Sequence, residues 1–268
     1  QKNTMCQNMN VLESFSLKGK VALVTGGAGM YGHCITKALA EAKATTYLAS
    51  RNLKNCEKLA KELCGEGYDV KAGRLDLADE KSIDNLYRMI ISEQGKVDIL
   101  VNNAVLRPMK GYDDDIANFR LSMEINGTAL FYITRLFAQN MIEKRTGSII
   151  NISSYMGILG PDYNLYEGTD MGDVPPEYFF HKGGMNQLTK YMGSTLGKYN
   201  IRVNSICPGG YETQQQPKRF KENYIKKTFL NRLANEDDIK GIVVFLASDA
   251  SSYITGAIIP LDGGYIAK

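Results

Sequence analysis

The chain alternates short apolar runs with longer stretches in which apolar side chains recur every three or four positions. Lys20 to Thr25, Thr45 to Ala49, Val70 to Leu75, Val97 to Val101, Ser148 to Ile152, Ile201 to Ile206 and Ala257 to Leu261 have the length and β-branched content of buried strands. Between them, helical spacing is carried by Ile35, Ala38, Leu39 and Ala42, by Asn55 to Cys64, and by Ile83, Leu86, Tyr87 and Ile90. It returns in Phe119 to Met141, Gly183 to Leu196 and Asp237 to Leu246. Strands alternating with helices predict an α/β fold with a mainly parallel, seven-stranded sheet. Right-handed crossovers place helices on both faces, giving a single three-layer αβα sandwich of Rossmann type. Ligands then belong beyond the carboxyl ends of the strands, where the strand order reverses. No Pro/Gly/Ser-rich linker and no internal repeat divides the chain, so residues 17–268 read as one domain behind a polar arm, residues 1–16.

Composition narrows the function. The net charge is only +3 and the basic residues are scattered, which argues against a nucleic-acid partner. No apolar run approaches the roughly 18 residues of a membrane span, and Gln1 to Asn10 has no apolar leader core. The five cysteines, at positions 6, 34, 56, 64 and 207, are odd in number and lack CxxC spacing. They read as free thiols in a reducing, cytoplasmic setting. With two histidines and no HExxH pattern, no metal site is expected.

Candidate chemistry begins at the first strand, which runs into Thr25-Gly26-Gly27-Ala28-Gly29-Met30-Tyr31-Gly32. Glycines there let a pyrophosphate approach the backbone, and the following helix offers free N–H groups and its dipole. Gly26, Gly29, Met30, Tyr31 and Gly32 are therefore candidate cofactor contacts. The second strand ends in Ala49-Ser50-Arg51-Asn52, without the carboxylate that usually holds the ribose hydroxyls of NAD. Ser50, Arg51 and Asn52 thus favour NADP(H), Arg51 pairing with the 2′-phosphate; NAD(H) is the other option, with Arg51 a solvated surface residue. Asp76, followed by Leu77, either accepts a hydrogen bond from adenine or caps a turn.

Tyr178 and Lys182 stand four residues apart, a spacing that shares one helix face. An ammonium beside a phenol favours the phenolate, which suits proton exchange with an alcohol or ketone. With the glycine loop, Asn102-Asn103-Ala104, Asn126, Ser153-Ser154, Pro208-Gly209, Thr213 and Asp262-Gly263-Gly264, this pair falls in the order of a known family. From about Leu17 to Tyr265 the chain resembles the classical short-chain dehydrogenases/reductases. The resemblance implies an oxidoreductase with a Ser, Tyr, Lys and Asn tetrad. Tyr178 then looks like the acid/base and Lys182 like its partner, which also holds the nicotinamide ribose. Ser154 resembles the serine that fixes the substrate oxygen. Asn126 resembles the asparagine that holds a relay water, or else is a structural residue that distorts its helix. The same likeness adds Asn103, Ala104, Val105, Pro208, Gly209 and Thr213 to the cofactor contacts.

Three departures stand out. Met30 replaces a glycine of the family's TGxxxGxG loop, and Val105 replaces the last residue of NNAG. Ser154 and Tyr178 are 24 residues apart, about twice the family spacing, so residues of about 160–177 form an insertion expected over the substrate. Its Tyr166-Glu167-Gly168-Thr169 stretch loosely resembles a subgroup linked to bacterial surface-sugar and nonulosonic-acid pathways. Pro161 to Glu177 holds Asp162, Glu167, Asp170, Asp173 and Glu177 and no basic residue. With Tyr163, Tyr166 and Asn164, these suit a small polyhydroxy substrate and disfavour an anionic one unless Arg107 or Lys110 answers its charge. Ser154, Tyr155, Tyr163, Tyr166, Glu167, Gly210 and Tyr211 are the candidate substrate contacts. The stretch from about residue 210 to 226 is polar and reads as mobile, and the resemblance implies that it is a substrate lid. An epimerase, a dehydratase or sugar-nucleotide dehydrogenase, and a non-catalytic cofactor-binding scaffold are the alternatives. The resemblance also implies a homotetramer, paired through the two long helices, with Ile125, Leu130, Ile133, Leu136 and Phe137 in excess of what the sheet needs.

Overall fold

The computed structural model describes residues 10–267. The first nine residues of the expected arm lie outside them. Within the remainder, Glu13–Phe15 forms a short 3₁₀ turn whose Phe15 ring lies 6.0 Å from that of Phe245.

Seven strands form one sheet: β1 Val21–Thr25, β2 Thr45–Ser50, β3 Val70–Arg74, β4 Ile99–Asn102, β5 Gly147–Ile152, β6 Ile201–Pro208 and β7 Ile258–Leu261. Their order is β3-β2-β1-β4-β5-β6-β7, and every pair is parallel. The helices are α1 Met30–Glu41, α2 Leu53–Gly65, α3 Glu80–Gln94, α4 Ile116–Met123, α5 Leu130–Lys144, α6 Pro176–Leu196, α7 Lys218–Ile225 and α8 Asp238–Ala247. All five residues of β1 are buried, as both faces of a parallel sheet require. Alternation sends Val21 and Leu23 into a core with Ile83, Ile90, Phe137 and Met192, from α3, α5 and α6. Ala22 and Val24 go to the opposite core, with Ile35 and Leu39 of α1 and Val243 and Leu246 of α8. The strand order reverses between β1 and β4, which places a crevice beyond Thr25 and Asn102.

Three elements differ from their sequence expectation. The Phe119 to Met141 stretch is not one regular helix: α4 and α5 are joined by a π-helical turn, Glu124–Ala129. Asn126 lies inside that turn and binds Leu106 with its side-chain amide. Helix α6 begins at Pro176, seven residues before the expected Gly183, because a proline is well placed in a first turn. It therefore carries both Tyr178 and Lys182. The expected lid contains a helix, α7, whose Phe220 and Tyr224 are buried one turn apart.

The insertion is compact. Asp162 caps a 3₁₀ turn, Tyr163–Leu165, by accepting the Asn164 N–H. Leu165 is buried with Tyr155, Phe220, Tyr224, Leu233 and Tyr265. Asp162 also pairs with Lys227 at 2.9 Å and accepts the Tyr265 hydroxyl at 3.2 Å. Asn223 of α7 donates to the carbonyls of Leu165 and Glu167. Insertion and the expected lid are thus packed together as one unit.

Of the positions offered as a subunit contact, Ile125, Leu130, Ile133 and Phe137 are buried within the chain, and Leu136 packs partly buried against the same core. Ile133, Leu136 and Phe137 pack in the sheet core and Ile125 lines the crevice beyond the strand ends, so the four buried positions offer no exposed apolar surface for a second subunit.

Candidate active site

A cavity of about 630 Å³ follows the carboxyl ends of the strands from Ser50 and Leu75 to Pro208. At its centre the glycine loop is locked to the end of β4. The Asn103 and Ala104 N–H groups both donate to Thr25 Oγ1 at 3.0 Å, and Asn103 Nδ2 donates to the carbonyls of Thr25 and Gly26. Gly26 has φ +63°, and a Cβ there would lie 2.9 Å from Ala104 Cα. A Cβ at Gly32 would lie 2.0 Å from the Gly26 carbonyl oxygen, so Gly32 packs the loop against α1 and does not line the cavity. Gly26, Gly29, Met30 and Tyr31 do line it. Gly29 precedes α1 without a side-chain cap, leaving the first N–H groups of a twelve-residue helix for an anion. Met30, half exposed, occupies the rim where the family pattern has glycine. Val105 keeps a negative φ and lines the same rim, with Asn103 and Ala104.

Ser50 and Arg51 face the cavity from β2. Asn52 does not: its side chain accepts the Asn55 N–H and caps α2, and Asn55 lines the wall instead. Arg51 is exposed and forms no ion pair among the described residues. Asp76 and Leu77 line the cavity beyond β3, where Asp76 Oδ1 also accepts the Ala78 N–H of its own turn. This cradle fits a dinucleotide: a glycine-walled loop, uncapped N–H groups and an unpaired cation at the ribose end.

The other end holds Ser154, Tyr178 and Lys182. Ser154 follows β5 and accepts the Met156 N–H at 3.1 Å, which leaves its hydroxyl proton free to donate. Ser153 donates to the Lys182 carbonyl at 3.0 Å, tying β5 to α6. Lys182 is buried and donates from Nζ to the Ile152 carbonyl at 2.6 Å. Burial first, and then the positive charge of Arg107, pull its pKa down to about 7. Lys182 Nζ lies 5.7 Å from the centre of the Tyr178 ring. Asn126 stands behind the wall, its amide spent on the Leu106 N–H, the Leu106 carbonyl and Ser122 Oγ.

Among candidate substrate contacts, Tyr155, Tyr166, Gly210 and Tyr211 join Ser154 on the wall, with Pro208, Gly209 and Thr213 nearby. Tyr163 and Glu167 do not, and neither do Asp162, Asp170, Asp173 and Glu177. Burying Leu165 turns Tyr163 and Glu167 outward, Asp162 is spent on Lys227, and Glu177 is buried behind the wall, accepting the Met109 N–H. The acidic loop therefore gives the cavity Tyr166 and Met171 but no carboxylate.

Two neighbours of Tyr178 have no periodic signal in sequence. The Arg107 guanidinium lies over the Tyr178 ring, 4.7 Å from its centre. His181 packs edge-on against that ring from below, one turn along the same helix. Burial and the Lys182 charge push the His181 pKa down to about 3, so it is neutral. Among the described residues, no group of His, Cys, Asp and Glu is arranged to hold a metal, and Cys34, Cys56, Cys64 and Cys207 are free thiols.

A family profile described as enoyl-(acyl carrier protein) reductase matches residues 29–266. The chain belongs to the short-chain dehydrogenase/reductase family. It is 32% identical over 260 residues to a 3-oxoacyl-[acyl-carrier-protein] reductase of Thermotoga maritima, covering 93% of this chain and 99% of that one. It is 30% identical over 264 residues to a 2-dehydro-3-deoxy-D-gluconate 5-dehydrogenase of Formosa agariphila, covering 96% of each. Among solved structures it resembles a gluconate 5-dehydrogenase of Burkholderia cenocepacia in complex with NADP and tartrate, with TM-score 0.87 and 28% identity. That match covers 97% of this chain and all of the other. As a member of this family the chain is an NAD(P)(H)-dependent oxidoreductase for small substrates, and among the described residues no helix is long and apolar enough to cross a membrane.

Proposed function

We propose that the protein interconverts a secondary alcohol and a ketone on a polyhydroxy substrate, with NADP(H) as the favoured cofactor. The observation that carries this is the convergence of Ser154, Tyr178 and Lys182 at one end of a cavity that has the glycine loop at its centre. Bound nicotinamide supplies the hydride. Tyr178 exchanges the proton with the substrate oxygen, and the free hydroxyl proton of Ser154 holds the same oxygen. Lys182 has two N–H donors left after Ile152, one for the cofactor ribose and one for a relay water. Because the Asn126 side chain is spent, its part in the relay falls to the backbone: a π-helical turn leaves carbonyls without their usual helical partner.

Arg51 and the missing carboxylate after β2 support the choice of NADP(H). The gluconate-type relatives support a polyhydroxy substrate, and the Tyr166 to Thr169 stretch supports a surface-sugar setting. The free thiols fit a reducing compartment such as the cytoplasm, and a homo-oligomer completes the reading.

A panel of polyols, aldonates and keto-sugars with both cofactors, followed at 340 nm, tests it. Tyr178→Phe should lower turnover by about 10²–10⁴-fold with cofactor affinity intact. A variant that keeps more than about a tenth of the rate removes Tyr178 from the acid/base role. Tighter binding of NADH than NADPH reverses the cofactor assignment.

A further inference from the structure

The charges on the cavity wall are few and unevenly placed. Arg51 and Asp76 stand at the β2 and β3 end, and Lys182 and Arg107 at the Tyr178 end, where no carboxylate lines the wall. The expected acidic screen is absent, because every carboxylate of the insertion faces elsewhere. Lys182 is buried and already donates to Ile152. Arg107 differs: it is exposed at the wall, and none of the ion pairs among the described residues includes it. Its guanidinium lies over the Tyr178 ring, which binds one face and leaves the N–H edges free. The ring also fixes where the guanidinium sits. A group gripped there lies beside the Tyr178 ring, at the same end of the cavity as Ser154.

We propose that Arg107 is the substrate-selecting residue of this site and that the substrate carries a carboxylate, which Arg107 binds through its N–H edge. The inference rests on the alcohol–ketone reading and narrows its substrate to a hydroxy or keto acid with a polyol body. A planar fork of donors matches a carboxylate in bidentate fashion; the other guanidinium on this wall, Arg51, stands at the opposite end, beside β2 and β3. The ring stack orders the guanidinium before the ligand arrives, so less freedom is lost on binding. A second cation beside Lys182 has an electrostatic cost in the empty cavity, visible as the Arg107 contribution to the lowered Lys182 pKa. An incoming carboxylate offsets that charge and relieves the Arg107 part of the shift, while the larger part, from burial, stays.

Calorimetric titration of the protein saturated with NADP⁺ tests this without relying on turnover. The probes are tartrate and D-gluconate as carboxylates, and D-glucitol as the neutral counterpart of gluconate. Both carboxylates should bind at least about tenfold more tightly than glucitol. Arg107→Ala should erase that preference while NADP⁺ and glucitol affinities hold, and Arg107→Lys should keep part of it, lacking the fork. The inference falls if the carboxylates bind the unmodified protein no better than glucitol, or if Arg107→Ala keeps the preference. It also falls if that variant weakens all three probes alike while NADP⁺ still binds, which makes Arg107 a packing residue. Arg107-dependent carboxylate binding without turnover of any alcohol or ketone would sink the alcohol–ketone reading and leave this inference standing. Turnover without carboxylate preference would do the reverse.

Discussion

Lys182 shows how one side chain can be placed by the fold against its own solvation. An ammonium in a dry interior is costly, and one hydrogen bond to the Ile152 carbonyl does not replace water, so its pKa falls from 10.5 to about 7. Because the folded value lies below the unfolded one, the penalty is complete below about pH 7. It shrinks between 7 and 10.5, where the unfolded chain holds the proton more firmly, and it is gone above 10.5. Lys182→Met should therefore raise stability most at pH 6, with the gain fading toward pH 10. Urea unfolding of both proteins across that range checks it, and a gain that stays flat with pH would show that the ammonium is as well solvated in the fold as in the unfolded chain. The Tyr178–Lys182 pair was legible because helical spacing alone puts both on one face. The Arg107 stack was not: Arg107 lies in a loop after β4, and only the close passage of that loop over α6 brings it to Tyr178.

At the scale of elements, the cover of the cavity depends on segments with little pattern. In α7 only Phe220 and Tyr224 mark an apolar face among charged residues, too few for periodicity to betray a helix. The insertion reads as acidic loop because its buried apolar residues, Leu165 and Val174, are isolated single positions. The strands, most of them runs with both faces covered, were legible to within two residues at their ends. Leu165 and α7 meet in a cluster separate from the main cores, with Tyr166 and Phe220 ring centres 5.7 Å apart. Leu165→Ala should cost about 2–5 kcal/mol in that cluster, the usual range for a buried leucine. Since the cluster is peripheral, local opening absorbs the loss. Amide exchange should speed up together in residues 160–177 and 210–226, and KM should rise while cofactor affinity holds. Faster exchange in the insertion alone would show that lid and insertion move independently.

For the whole molecule, the question is what the outer face of α6 meets. Phe180 and Tyr191 are 64% and 63% exposed and lie eleven residues apart, three helical turns along one stripe. Gly184, one turn after Phe180, is exposed too, and a Cβ added there would meet no atom within 4 Å. Two large aromatics around a glycine form a ridge and a gap, which a second copy related by a twofold axis can fill with its own gap and ridge. The predicted contact face is therefore this stripe rather than Ile125, Leu130, Ile133 and Phe137, which are already buried within the chain. Gly184→Leu separates assembly from folding. Within one subunit leucine has open space, and replacing glycine in an exposed helix should gain up to about 1 kcal/mol. Between subunits it blocks the close approach of two helices. Sedimentation at micromolar concentration should show an oligomer for the unmodified protein and a smaller species for Gly184→Leu, with helical content unchanged. An unmodified protein that sediments as a monomer, or a variant that assembles as before, removes α6 as the contact face.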